Sequence, residues 1–219
     1  MGGDFRTDGY QVVRGFVSAA EAELFSLYAL RRCQLQSGFG IDSQVGGGLA
    51  ITSDPLFDAL LFRQVPTVRA LSGHDVLPTY AYSRVHLKGA VLHPHTDRPA
   101  CEVSVTLCLA MEPAELWSIH VDANGETEVR LAPGDALLYK GCEVTHWREP
   151  FVGRGCVQVF LHYVDREGPY ADHAFDAVSH EGGTRPRALP GWEHAEDYHQ
   201  RLTVYQELLA DQAAAKEQS

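Results

Sequence analysis

The chain has 219 residues, 45% of them hydrophobic and 21% charged, with a formal net charge of −11 at pH 7. That length fits one domain able to bury a real core, and the acidic balance disfavours nucleic acid and anionic membrane as partners. No apolar run approaches the ~18 residues of a membrane span; the longest, "VSVTLCLAM" at 103–111, is of strand length.

The opening "MGGDFRTDGY" lacks the basic and apolar regions of a secretory signal, and Arg6 stands where a myristoylation site wants Ser or Thr. A cytoplasmic protein is expected. "GYQVVRGFV" reads as a first strand. Ser18 and Glu21 then form a capping box, followed by Leu24, Phe25, Leu27, Tyr28 and Arg31 at helical spacing. Asp54 and Pro55 mark the start of a second helix, with Leu56, Phe57, Leu60 and Leu61 as its apolar face, and Pro66 restarts or kinks it.

From Thr79 the texture changes to strands, expected near 80–87, 101–110, 115–122, 127–132, 136–140 and 156–164, with "NG" at 124–125 and "PG" at 133–134 as turns. Many short strands with little helix between them suggest a sandwich, a jelly roll or a small barrel. "EGGTRPRALPG" (181–191) reads as a connector, and Tyr198, Leu202, Tyr205 and Leu209 mark a terminal amphipathic helix. One domain over 1–219 is expected: helical support at 1–78, a β-barrel core at 79–165, and a connector and helix at 166–219. Cys33, Cys101, Cys108, Cys142 and Cys156 show no CxxC spacing, which speaks against zinc ribbons and disulfide frameworks. Most of these cysteines are read as small buried hydrophobes.

The stretch "LHPHTDRPACEVSVTLCL" (92–109) carries the first chemical signal. His95 and Asp97, two residues apart, point the same way along an extended chain, as adjacent metal ligands must. The same pattern also serves as a polar turn, so a third ligand has to be found. His146, just beyond the strand-like "ALLYKG" in "LAPGDALLYKGCEVTHWREPF", is the best candidate. Two histidines and one carboxylate leave positions open on the metal, which suits non-haem iron(II). Zinc more often recruits a third histidine or cysteines, and magnesium and calcium prefer oxygen. His93 competes with His95, but only His95 has an acidic residue two positions on.

The order "PTYAYSRVHLKGAVLHPHTDRP", an alternating strand, "PGDALLYKGCEVTHW" and "CVQVFLHYV" resembles the iron(II)- and 2-oxoglutarate-dependent dioxygenases, closest to their prolyl-hydroxylase-like branch, over about residues 8–175. Gly89 six residues before the HxD motif, the "PGD" turn and the distal histidine make the resemblance more specific than HxD alone. It implies a mainly β fold with flanking helices, a double-stranded β-helix (jelly-roll or cupin-like) barrel. It also implies iron(II) held by His95, Asp97 and His146, with 2-oxoglutarate and O2 as cosubstrates. The family's halogenases carry a small residue in place of the carboxylate, so Asp97 implies hydroxylation.

The resemblance further implies a cation for the far carboxylate of 2-oxoglutarate. Arg154 lies eight residues beyond His146, slightly before the family's usual position, where Gly155 falls. Arg84 is the rival, sharing a strand face with Tyr82 and with His86, which stands where relatives often place a cosubstrate-contacting tyrosine. An arginine pointing into a barrel needs an anionic partner. Arg98 and Trp147, beside two of the ligands, are expected near the pocket mouth, where Arg98 holds a substrate carboxylate or steadies Asp97. Trp117 either lines the barrel or, as the preferred reading, packs in the core. The reaction implied is hydroxylation of a C–H bond in a small molecule, amino acid or peptide side chain. Two other readings are a cupin-like metal enzyme without 2-oxoglutarate and a non-catalytic ligand-binding barrel. The first is disfavoured by the absence of the usual third cupin histidine.

Overall fold

The computed structural model describes residues 2–35, 48–52, 54–112 and 117–176. The connector at 181–191 and the expected terminal helix lie outside the described residues. A short helix, α1 (Phe5–Asp8), precedes the edge strand β1 (Tyr10–Val13). Asp4 caps α1 by accepting from the amides of Arg6 and Thr7, and Gly9 closes it in the left-handed region at φ 77°. The capping box forms as its sequence requires at the start of α2 (Ala19–Leu35). The Ser18 amide donates to Glu21 Oε2 at 2.9 Å, and the Glu21 amide returns a bond to Ser18 Oγ at 3.2 Å.

After the edge strand β2 (Gly48–Thr52), Asp54 starts α3 (Pro55–Arg63), accepting from the Leu56 amide at 3.0 Å. The Pro66 break is real: a new helix, α4 (Val65–Ser72), begins there. Asp54 is buried, and its carboxylate also takes the Tyr28 hydroxyl and Arg32 Nε, each at 2.9 Å, tying α2 to α3.

One turn further on, Asp58 has a buried carboxylate oxygen that no described group bonds. Burial, and then the charge of Asp54, raise its pKa to about 6. The folded protein therefore holds this proton more tightly than the unfolded chain does. Stability falls as pH rises from about 4 to about 6, and the full penalty stands at pH 7. Asp58→Asn is expected to stabilise the protein at pH 7 by about 1–2 kcal/mol and to have no such effect near pH 3. Thermal unfolding at the two pH values checks this. An equal gain at both would assign the effect to something other than charge.

Eight further strands build the barrel: β3 (Val76–Leu87), β4 (Leu92–His95), β5 (Val103–Glu112), β6 (Ile119–Asp122), β7 (Glu126–Val129), β8 (Ala136–Lys140), β9 (Thr145–Arg148) and β10 (Gly155–Asp165). They pair antiparallel in a nested series, β3 with β10, β4 with β9, β5 with β8 and β6 with β7. That is one long hairpin wound on itself, a double-stranded β-helix. The larger sheet runs β1-β8-β5-β10-β3-β2 and the smaller β4-β9-β6-β7. β4 and β9, which carry the candidate ligands, are too short for a clear alternation in the sequence.

Strand parity decides where the core sits. On β10, Val157, Val159, Leu161 and Tyr163 join the main apolar cluster with Phe25, Phe57, Leu61 and Val68 of the helices. The opposite face of β10 carries Gln158, Phe160 and His162, also buried. One face of the larger sheet is thus sealed by helices, and the other, polar and aromatic, faces the barrel interior. The helices form a scaffold that holds this second face in place.

Candidate metal centre and barrel interior

A tight connection delivers the HxD motif. β3 ends in a turn where Gly89 adopts φ 89° and donates its amide to the Phe151 carbonyl at 2.8 Å. The chain then returns as β4, on which His95 pairs in register with His146 of β9. Asp97, just beyond β4, is fixed by its own amide, which donates to the Gly141 carbonyl at 2.8 Å.

His95, Asp97 and His146 come together here. Asp97 Oδ1 lies 3.7 Å from His95 Nε2 and 3.6 Å from His146 Nε2, and the two imidazole centroids are 4.3 Å apart. Metal bonds of ~2.1 Å hold neighbouring donor atoms ~3.0–3.4 Å apart, so each Asp97–histidine pair needs only a few tenths of an ångström of closing. His146 is buried, whereas His95 and Asp97 retain 24% and 13% side-chain exposure, so the trio opens on the His95 side.

Hydrogen bonds preset both rings. His95 Nδ1 lies 2.8 Å from the His93 carbonyl and His146 Nδ1 3.0 Å from that of Val144. A carbonyl can only accept, so each Nδ1 carries the proton and each Nε2 offers a lone pair towards Asp97. Burial lowers the pKa of His146 despite the opposing charge of Asp97, favouring the neutral form a metal needs.

The second oxygen of Asp97 is held from behind. Ser104 Oγ on β5 donates to Asp97 Oδ2 at 3.0 Å and lies 2.9 Å from His162 Nδ1 on β10. His162 is fully enclosed, and burial lowers its pKa to about 4. With the neutral imidazole donating from Nδ1, the single Ser104 proton is shared between Asp97 Oδ2 and the Cys101 carbonyl, both at 3.0 Å. Cys101 and His162 also stand near Asp97 as a second possible metal group. Burial, and then the charge of Asp97, push the Cys101 thiol up to about 12, so a metal there would have to displace a tightly held proton before the sulfur could bind. Gly141 packs against the same corner: a Cβ there would stand 2.6 Å from Asp97 Oδ2 and 2.7 Å from Ser104 Oγ.

The other expected residues divide between interior and exterior. Arg84 and His86 are buried on the inner face of β3. The Arg84 guanidinium lies 5.3 Å from the Tyr82 ring and 5.7 Å from that of Phe160. His86 meets Trp117 edge-on at 4.9 Å, and burial, reinforced by Arg84 and Arg148, holds it neutral. Arg154 is exposed and ion-paired with Glu112, at the outer end of its strand. Arg98 stacks 4.6 Å over Tyr80 and binds Asp176 at 2.7 Å. Trp147, one residue past inward-facing His146, stacks instead on His120 at 5.3 Å, outside the barrel rather than at its mouth. Trp117 is buried as expected, its indole donating to the Glu149 carbonyl at 2.7 Å. The exposed His93 contributes through its carbonyl.

Ser104, His162, Gly141 and Arg148 were not singled out by the sequence. Arg148 is buried two residues past His146, and Ser104 and His162 bond each other across β5 and β10. Only Arg148 left a readable signal, since it shares strand parity with His146 in "THWREP".

No protein-family model matches the chain, and no curated protein matches its sequence. Solved structures do resemble it. The epimerase SnoN from nogalamycin biosynthesis, in complex with Fe3+, alpha-ketoglutarate and nogalamycin RO, superposes with a TM-score of 0.65 at 14% identity, over 82% of this chain and 89% of that one. HygX from Streptomyces hygroscopicus, with nickel, 2-oxoglutarate and hygromycin B bound, gives 0.59 at 16% identity, over 74% and 85%. A Pseudomonas putida prolyl-4-hydroxylase gives 0.59 at 18%, over 74% and 95%. At these identities the likeness establishes the shared fold.

Proposed function

We propose that the protein is an iron(II)- and 2-oxoglutarate-dependent oxygenase that hydroxylates a C–H bond of a small molecule, amino acid or peptide side chain. The observation that carries this reading is the trio His95, Asp97 and His146, with both histidine lone pairs turned towards one carboxylate. Its donor set, two neutral nitrogens and one carboxylate, fits iron(II) with positions to spare. The fold it shares with SnoN, HygX and the prolyl-4-hydroxylase supports the reading.

When bound, iron with 2-oxoglutarate and O2 supplies oxidation of an unactivated C–H bond coupled to release of succinate and carbon dioxide. The chain's own residues bind and orient. His93 and Val144 carbonyls fix the two rings, while Ser104, backed by His162, holds one oxygen of Asp97 and leaves the other facing the rings. The aromatic wall of Tyr82, Phe160 and Trp117 gives the interior a low dielectric that strengthens each polar contact.

A substrate panel tests the reading. Iron-dependent conversion of 2-oxoglutarate to succinate should be stimulated by at least one amino acid, peptide or small molecule. The product mass should rise by one oxygen. Isomerised or cyclised product would keep the cosubstrate and overturn hydroxylation. Among the described residues no helix is long and apolar enough to span a bilayer.

A further inference from the structure

The inner face of the barrel holds a cation for which the trio has no use. Arg148 ends β9, two residues beyond His146 and on the same face, and it is 3% exposed. Its Nη1 donates to the Trp117 carbonyl at 2.6 Å, and its guanidinium stacks 4.8 Å over the Trp117 ring. Trp117 is itself fixed through its indole and its amide, which meets Met111 Sδ at 2.9 Å. The guanidinium is therefore locked in place, yet its Nη2 is buried with no hydrogen-bond partner among the described residues. Among those residues the Nη1 hydrogen bond goes to a neutral carbonyl, and no carboxylate pairs with the guanidinium.

A buried, fully desolvated guanidinium without a carboxylate is a costly arrangement that folding alone does not reward. Other polar atoms of the same interior lack a well-formed hydrogen bond among the described residues, at His86, Gln158 and His162 Nε2, although His86 and Gln158 lie close enough to interact with each other. Buried polar groups are nearly always bonded, so such a concentration marks the seat of a polar ligand.

We infer that Arg148 is the cation that receives the far carboxylate of the 2-oxo dicarboxylate cosubstrate, an assignment that rests on the oxygenase reading above. The spacing supports it. Two residues of strand are about 6.6 Å, at ~3.3 Å per residue, comparable to a five-carbon chain reaching from a metal at His146 to the arginine. Because Nη1 is committed to Trp117, Nη2 is the donor left to face the ligand. The metal ligand and the anchor then lie on one short strand, instead of the anchor following on the last strand, where Arg154 is exposed and paired with Glu112. Arg84 shares the interior from β3, but it packs among Tyr82 and Phe160 and carries no such link to a metal ligand.

The test compares 2-oxoglutarate with 2-oxopentanoate, which has the same 2-oxo acid head and chain length but no far carboxylate. Binding to the iron(II)-loaded protein is measured without oxygen. The parent should prefer 2-oxoglutarate by at least ~30-fold, the value of a buried charge-assisted contact. In Arg148→Met that preference should fall to within ~3-fold, with 2-oxopentanoate binding unchanged. Arg148→Lys, which keeps the charge but loses the fork, should fall between the two. It carries the test if the Met variant does not fold, and must then lose at least tenfold of the preference.

The unfolding midpoint of metal-free Arg148→Met should be no lower than the parent's, because an uncompensated charge has been removed. A lower midpoint together with retained preference would make Arg148 structural and overturn the assignment. Retained preference with weakened binding of a carboxylate-bearing substrate would also overturn it, by giving Arg148 to that substrate. Collapse in Arg84→Met but not in Arg148→Met would move the anchor to β3. Absence of any 2-oxoglutarate binding by the iron-loaded parent is a different failure: it removes the oxygenase reading, and this inference with it.

Discussion

Replacing His146 by alanine is expected to abolish tight iron(II) binding and to lower turnover by more than ~100-fold, beyond what loss of an outer partner of a ligand costs. His146 is the buried member of the trio, held in its tautomer by the Val144 carbonyl and facing Asp97 at 3.6 Å. Its imidazole packs 4.7 Å from the ring of buried Tyr139, whose hydroxyl lies 3.5 Å from Nε2, so alanine also leaves a cavity against that ring. His146→Gln, which better preserves volume, should lose metal equally. His95→Ala and Asp97→Ala should behave alike, because three protein donors leave no spare. Metal competition titrations with circular dichroism as the folding control check all four. Parent-like affinity in any one removes that residue from the ligand set, and unfolding would make its role structural.

Gly141→Ala is expected to weaken metal binding by at least tenfold although position 141 offers no ligand atom. The added methyl would stand 2.6 Å from Asp97 Oδ2 and 2.7 Å from Ser104 Oγ, and closer still to the Cys101 carbonyl. A carbonyl belongs to the backbone and cannot swing aside as a side chain can. The segment must shift, and it carries the Gly141 carbonyl that holds the Asp97 amide at 2.8 Å. Overpacking of this kind costs about 1–3 kcal/mol, so thermal unfolding should also move down. Gly155→Ala is the control, since its Cβ would meet only the His86 carbonyl at 4.0 Å. Parent-like metal affinity in Gly141→Ala would show that the corner yields without disturbing Asp97.

How these residues were found differs from case to case, and the differences are physical. Capping chemistry is local, so Ser18 and Glu21, Asp54 and Pro55 could be read directly, and the helices begin where they indicate. Long strands show their alternation, as β5 and β10 do. β2, β4 and β9 were not separable from loops, since four or five residues carry little periodicity. The strand expected at 101–110 begins two residues later, because Pro99–Cys101 forms a 3-10 turn. The strand expected at 115–122 is described only as Ile119–Asp122.

At the site, the two-residue spacing of His95 and Asp97 was readable because parity puts both on one side. Trp147 points to the other side of β9 by the same rule, since adjacency to His146 in sequence means opposition across a strand. Parity places Arg84 inside and, applied from His146 along its own strand, places Arg148 there too. Ser104 and His162 were beyond reach. Their meeting depends on the register of β5 with β10, in which Ser104 and His162 are direct partners. That register is a long-range property that neither segment states alone. Gly141 read as a turn glycine, whereas its role lies in what packs against it.

The most direct test of the metal centre as a cosubstrate site is an oxygen-free titration of the iron(II)-loaded protein with 2-oxoglutarate, followed by visible absorption. A 2-oxo acid chelating iron(II) gives a charge-transfer band that iron or the acid alone lacks. We expect a saturable band at one 2-oxoglutarate per chain, absent without iron and absent in His146→Ala. A parent-like band in His146→Ala, or no band in an iron-loaded parent, would contradict the assignment of His95, Asp97 and His146 as the centre that binds iron and cosubstrate together.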